Sequence, residues 1–251
     1  MRKDIVPSLG EPVGNLWKDL QTKYTESGEF WVFSPISNTP LPVYEWIKSH
    51  AKEIPHWDRF FKGLMDEQAK QTAEGLIYVD KSDPASFEGK IRTILLDPLE
   101  ETTGVPLRDH VLKPDLNDLK AFDKKIEEHG GIDLLILAIG EGGHYAQVMP
   151  GTPIETGFHV TELLGDYKDR HQQTGIFSGS EFQRYGMSLG HQQLLGAKKV
   201  VIIISGEKKH ELAKQLLSYD SFDPSFPLSI IYDPRVNERV QLFITEDVGI
   251  K

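Results

Sequence analysis

The chain has 251 residues, enough for one substantial core, and its 39% hydrophobic and 26% charged content is ordinary for a globular protein in water. Its 28 Lys and Arg against 38 Asp and Glu leave a formal charge of −10, which disfavours nucleic acid and anionic membrane as partners, and no basic patch reverses this. There is no cysteine, so disulfides, thiolate metal sites and a thiol nucleophile are excluded, and the opening MRKDIVPSLGEP lacks the apolar core of a secretory signal. No apolar run approaches the roughly 20 residues of a membrane helix, so a cytoplasmic enzyme is the simplest expectation.

In chain order, Glu11 to Thr22 reads as a helix and Phe30 to Ser34 as a buried strand, followed by the polar turn Ser37, Asn38, Thr39 and Pro40. Pro40 suits the first turn of a helix running to about His50. Trp57 to Leu64 and Leu76 to Val79 are predicted strands, and Ala85 to Leu96 a helix with Ile91, Ile94 and Leu95 on one face. Leu116 to His129 is a predicted helix ended by Gly130 and Gly131, and Ile132 to Ile139 the strand that follows. Met187 to Leu195 reads as a helix leading into the strand Lys199 to Ser205, and Gly206 precedes a helix to about Tyr219. Pro227 to Ile231 and Gln241 to Thr245 read as terminal strands, the last at an edge. Strands alternating with helices predict an α/β fold: a three-layer, mostly parallel, doubly wound (Rossmann-like) sheet with helices on both faces. No linker divides residues 1–251, so one domain is expected.

Four places in this pattern carry groups capable of chemistry. In IDLLILAIGEGGHYAQVMP an apolar strand delivers His144 to a glycine turn, and ligands of parallel α/β sheets sit outside the carboxyl ends of the strands. The competing reading is a tight turn with an incidental histidine. The turn lacks the Lys-Ser or Lys-Thr of a Walker loop and does not match the GxGxxG dinucleotide fingerprint. In SPISNTP, hydroxyls cluster before a helix whose positive end suits an anion, with ordinary helix capping as the alternative. Asp66 and Glu67 form an acidic pair, able to shuttle protons if held against apolar surface and merely solvated if not. Asp169 to His171 together with Arg184 could neutralise a phosphate, or could be scattered surface charge.

Taken in order, these segments resemble the glucosamine-6-phosphate isomerase (deaminase) and 6-phosphogluconolactonase superfamily, from about Phe30 to Thr245. SPISNTPLPVY resembles the phosphate loop, LMDEQ the Asp-Glu motif and DPASFEGKIRTILLDPL the helix behind it. GEGGHYAQVMPGTP resembles the Gly-His signature, and MSLGHQQLLGAKKVVIIISGEKK the helix, strand and glycine turn near the C-terminus. The resemblance implies a sugar-phosphate enzyme without metal or organic cofactor. It makes Asp66 the base that moves a proton between C1 and C2, and His144 the ring-opening group. Ser37, Asn38 and Thr39 would bind phosphate with Arg184, while Glu67, Gly142 and Gly143 would line the substrate. In the lactonase branch the same His144 activates water.

The chain departs from the family pattern in its carboxylates: Gly142 stands where an Asp is usual, and Met149 where deaminases have a Glu that orients the histidine. Glu141 is the nearest substitute and is expected to share the catalytic role. Gly175 stands where deaminases carry an Arg. These departures count against a standard deaminase, and deaminase or isomerase chemistry is expected only slightly ahead of lactone hydrolysis, with a non-catalytic sugar-phosphate-binding regulator as a further alternative. The expected partner is a small sugar phosphate, and a homo-oligomer is compatible with the pattern.

Overall fold

The computed structural model describes residues 1–163 and 183–250. Its first half contains β1 (Arg2–Val6), α1 (Gly10–Thr25), β2 (Phe30–Phe33), α2 (Leu41–Ser49), β3 (Phe60–Gly63), β4 (Asp66–Thr72), β5 (Gly75–Tyr78), α3 (Phe87–Ile91) and α4 (Asp97–Thr103). Then follow β6 (Val111–Leu112), α5 (Leu119–Glu128), β7 (Leu134–Ala138), β8 (His159–Glu162), β9 (Tyr185–Ser188), α6 (His191–Gly196), β10 (Val200–Ile204), α7 (His210–Leu217) and β11 (Val240–Thr245).

The apolar strands build one seven-stranded sheet in the order β1-β11-β10-β7-β2-β3-β6, with every pairing parallel. FWVF of β2, VVIII of β10 and VQLFIT of β11 are buried along their whole length, as strands covered on both faces must be. The α/β architecture expected from the alternation of strands and helices is thus the one adopted. From β2 the chain steps outward to β3 and β6, whereas from β7 it steps the other way to β10 and β11. With right-handed crossovers, those opposite directions put the connecting helices on opposite faces. On one face α1 packs on α2, where Gly14 leaves room for the Trp46 ring that an added methyl group would overlap.

A second, antiparallel sheet has the order β5-β4-β9-β8, and the sequence reading missed most of it. DEQAKQT of β4 is too polar to read as a strand. Met187 to Leu195 is not one helix, because β9 ends at Ser188 and α6 begins at His191. Gln241 to Thr245 is not an edge strand, because Arg2–Val6 pairs along β11 and takes the edge. Pro227–Tyr232 is a 3-10 helix and not a strand. Trp57 to Arg59 is a 3-10 turn before β3, and the helix expected over Ala85 to Leu96 passes through a π-helical turn at Arg92–Leu96 into α4. Among the described residues, no helix is long and apolar enough to cross a membrane.

Candidate active site

Strands β2 and β7 are neighbours at the centre of the sheet, and the chain leaves them in opposite directions. The crevice outside their carboxyl ends is the topological switch point, where ligands of such folds bind. A cavity of about 250 Å³ occupies it. Its walls come from the loop after β2, the start of β4, Phe87 of α3, the loop after β7, and Lys209 just before α7. Ser37, Thr39, Asp66 and His144 all line this one cavity. Asn38, Glu67, Glu141, Gly142, Gly143 and Arg184 do not.

The β2 loop is built as an acceptor of ligand. Helix α2 starts behind Pro40 with no side-chain capping bond, so the hydroxyls of Ser37 and Thr39 are not engaged as caps. Ser37 Oγ is buried and has no hydrogen-bond partner among the described residues. A buried hydroxyl left in that state costs free energy until a ligand or water satisfies it. The loop is fixed from behind by Tyr44 of α2, whose hydroxyl donates to the Pro35 carbonyl at 2.6 Å and meets Ser34 Oγ at 2.8 Å.

His144 is oriented by main chain. Its Nδ1 lies 2.6 Å from the carbonyl oxygen of Glu141. A carbonyl can only accept, so Nδ1 carries the proton, and in the neutral form of the ring the basic atom is Nε2. What Glu141 supplies to this bond is its carbonyl and not its carboxylate. The ring packs flat over Gly140, where an added β-carbon would overlap Cε1 and Nε2. Gly142 and Gly143 both adopt positive φ, 66° and 75°, and form the turn that returns the chain toward the cavity.

The acidic pair divides its work by strand alternation, which sends adjacent side chains to opposite faces. Asp66 faces the cavity, half-buried, and its carboxyl is pushed up to about 7 by burial, with Glu67 adding to the rise and Lys62 opposing it. Glu67 points away and is buried. Its carboxylate accepts from the backbone N–H of Gln68, Phe87 and Glu88 at 2.7–2.8 Å and from Ser86 Oγ at 3.1 Å. Burial pushes this group up as well, and those donors pull it back. Glu67 therefore ties α3 to β4 and sets Phe87 in the cavity wall, and has no oxygen directed at a ligand.

Among the described residues the cation lining the cavity is Lys209, which the sequence reading overlooked. It donates to the Ile139 carbonyl at 2.9 Å, and burial lowers its affinity for a proton while Glu141 opposes. The signal was available, since the apolar run VVIII ends in a glycine turn just as β7 does. Arg184 lies elsewhere. It precedes β9 and is paired with Glu162 of β8. Asp66 is opposite Ser188, four residues further on, which places Arg184 roughly 13 Å along the strand from that level. Asp169, Arg170, His171 and Gly175 lie outside the described residues.

A carboxyl group that titrates near neutrality, an imidazole with its tautomer set, an ammonium and an anion-ready turn share one crevice. They bring proton-transfer groups and an anion-ready turn together at the switch point of an α/β sheet. The sequence model of the glucosamine-6-phosphate isomerases/6-phosphogluconolactonase family matches residues 16–241, and the chain belongs to that family. The glucosamine-6-phosphate deaminase of Bacillus pumilus is 32% identical over 54% of this chain and 55% of the relative. That of Mycoplasmopsis pulmonis is 28% identical over 71% of this chain and 68% of the relative. The chain thus matches little more than half the length of the first of these. Among solved structures, a monomeric glucosamine-6-phosphate deaminase superposes with a TM-score of 0.76 at 18% identity over 99% of both chains. A 6-phosphogluconolactonase from Thermotoga maritima gives 0.67 at 19% identity, over 97% of this chain and 100% of the other. Both share the fold.

Proposed function

We propose that the chain is a sugar-phosphate isomerase of the deaminase type, acting on an amino-sugar 6-phosphate. The observation that carries this reading is Asp66: a carboxyl held near pKa 7 on the wall of the cavity that also holds His144 and the β2 turn. A base tuned close to the working pH is what proton transfer between adjacent carbons needs. In this reading Ser37, Thr39 and Lys209 hold the phosphate, and His144 Nε2 takes the proton of the anomeric hydroxyl and returns it to the ring oxygen as the C1–O5 bond breaks. Asp66 then carries a proton from C2 to C1, and water displaces the amino group as ammonia from the resulting ketose imine. The Glu141 carbonyl orients His144, which supports this role despite Gly142 and Met149.

One observation favours a second reading, lactone hydrolysis. An imidazole whose Nδ1 is held by a main-chain carbonyl on the wall of the cavity is also what water activation needs, and it makes no use of Asp66. The two separate in one assay that offers glucosamine-6-phosphate, galactosamine-6-phosphate and 6-phosphogluconolactone to the protein and to its Asp66→Asn and His144→Ala variants. Ammonia release that both substitutions abolish is the expected result. Acid release without ammonia, untouched by Asp66→Asn, would instead assign the lactonase reaction. Thermal stabilisation by sugar phosphates without turnover would make the protein a binding module, since a ligand that prefers the native state raises its melting point.

A further inference from the structure

Lys62 has none of its surface exposed and is among the largest fully buried side chains of the protein. It stands on β3 two residues after Phe60, hence on the same face of the sheet. Its ammonium donates to the Gly63 carbonyl at 2.6 Å and to the Ser34 carbonyl at 3.1 Å, which clamps the carboxyl ends of β3 and β2 together. Those carbonyls are its hydrogen-bond acceptors, and among the described residues no carboxylate forms an ion pair with it. An ammonium buried with no counter-ion in contact is costly, and proteins rarely keep one without a use for it.

The position suggests the use. Ser34, whose carbonyl the ammonium holds, is three residues from Ser37, whose buried hydroxyl lacks a partner on the cavity side. One short loop thus has a hidden amino group behind it and, among the described residues, an unsatisfied hydroxyl in front. We propose that Lys62 is the counter-charge of the cavity: when a tetrahedral oxyanion enters over the β2 turn, the Lys62 amine takes up a proton and its charge balances the ligand through the loop. This rests on reading the cavity as an anion site.

Burial lowers Lys62 to about 7, with Asp66 opposing, so near neutral pH the group is partly uncharged before the ligand arrives. The neighbouring elements carry other titratable groups. From β4 come Asp66, itself near 7, and Glu67, saturated by its donors. From α2 comes Tyr44, which burial pushes up. Ahead of β6 lies His110, bonded to the Phe60 carbonyl, and beyond it Lys113, paired with Glu88. His144 and Lys209 line the cavity itself. Of these, Asp66 and the cavity-lining His144 and Lys209 can also gain a proton beside an anion, so each must be controlled.

The test is calorimetric titration with sodium sulfate, whose charge is constant at these pH values, at about pH 7.5 in two buffers of different ionisation enthalpy. The difference in heat gives the protons taken up. Wild type, Asp66→Asn, His144→Ala and Lys209→Arg are expected to take up about half a proton or more per sulfate. Lys62→Met and Lys62→Gln are expected to lose that uptake and bind several-fold more weakly, because linkage makes the two effects reciprocal. Lys62→Gln retains an N–H donor for the carbonyls, so it separates the charge from the clamp, and thermal melts show that each variant is folded. Uptake and affinity unchanged in Lys62→Gln, or uptake lost only in Asp66→Asn, His144→Ala or Lys209→Arg, would overturn the proposal. Wild type that does not bind sulfate would overturn the anion-site reading, a different result from sulfate binding that ignores Lys62.

Discussion

The imidazole of His144 has one resting place because Gly140 has no side chain. Gly140 sits at φ −94° and ψ 173°, extended backbone open to any residue, so the restriction there is steric and not conformational. Gly140→Ala is expected to leave the protein folded and to push the ring off the Glu141 carbonyl. Long-range proton–nitrogen NMR of the imidazole reads this directly: protonated Nδ1 in wild type, a mixture of tautomers in the variant. Asp66 gives a second expectation at the level of single groups. Its unfolded pKa is near 3.9, and its folded value is raised to about 7, so between those values the folded state binds the extra proton. Stability from this group is therefore full below about pH 4 and declines as pH rises through about 7. Asp66→Asn is expected to melt with wild type at about pH 4 and several degrees above it at about pH 8. Equal melting points at both would show that the carboxyl is not desolvated. His144 was legible as the group a strand delivers to a glycine turn, and Asp66 through the likeness of LMDEQ to the family's Asp-Glu motif. Lys62 was not, since a lysine inside FFKG says nothing about which face it occupies.

Strands and helices were legible where local pattern decides them and obscure where a distant partner does. The β7 and β10 runs announce themselves by composition. Strand β4 exists because Tyr185–Ser188, more than a hundred residues later, completes its ladder. The apolar run at Pro227 lacks such a partner, because β1 already covers the edge beside β11, and it closes locally as a 3-10 helix instead. Where strands do pair, their amino ends need anchoring as much as their carboxyl ends need chemistry. Asp133, fully buried just before β7, accepts from the Trp31 backbone N–H at 2.8 Å and from Lys198 at 2.7 Å, and meets His129 Nε2 at 2.9 Å. His129 in turn stacks on the Trp31 ring at 3.8 Å. Asp133→Ala removes the acceptor for all three elements and is expected to destabilise by about 3–5 kcal/mol. Urea unfolding checks it, and a loss under about 1 kcal/mol would mean the cluster is bystander geometry.

For the molecule as a unit, the large sheet supplies the crevice and the small sheet supplies Asp66, so the proton transfer proposed above depends on the seam between them. Sequence periodicity cannot show that seam, since it joins the loop after β7 to strands of a different sheet. Gln147 occupies it: its backbone N–H donates to Ser188 Oγ at 3.1 Å, its side chain is buried, and its amide has no hydrogen-bond partner among the described residues. Gly186 of β9 lies directly beneath, where an added methyl would overlap the Gln147 amide. If this contact sets the spacing of the sheets, Gly186→Ala should destabilise by roughly 1–3 kcal/mol in wild type, the usual range for overpacking a core. In a Gln147→Ala background the same substitution should cost little, because the space is vacant. The double-mutant cycle isolates the coupling, and a value within about 0.5 kcal/mol of zero would place the two residues in independent parts of the fold. A large coupling would also move Asp66, whose partner Ser188 is two residues from Gly186 on the same strand. Gly186→Ala should then shift the pH at which the Asp66 carboxyl titrates, and restoring the space at position 147 should return it.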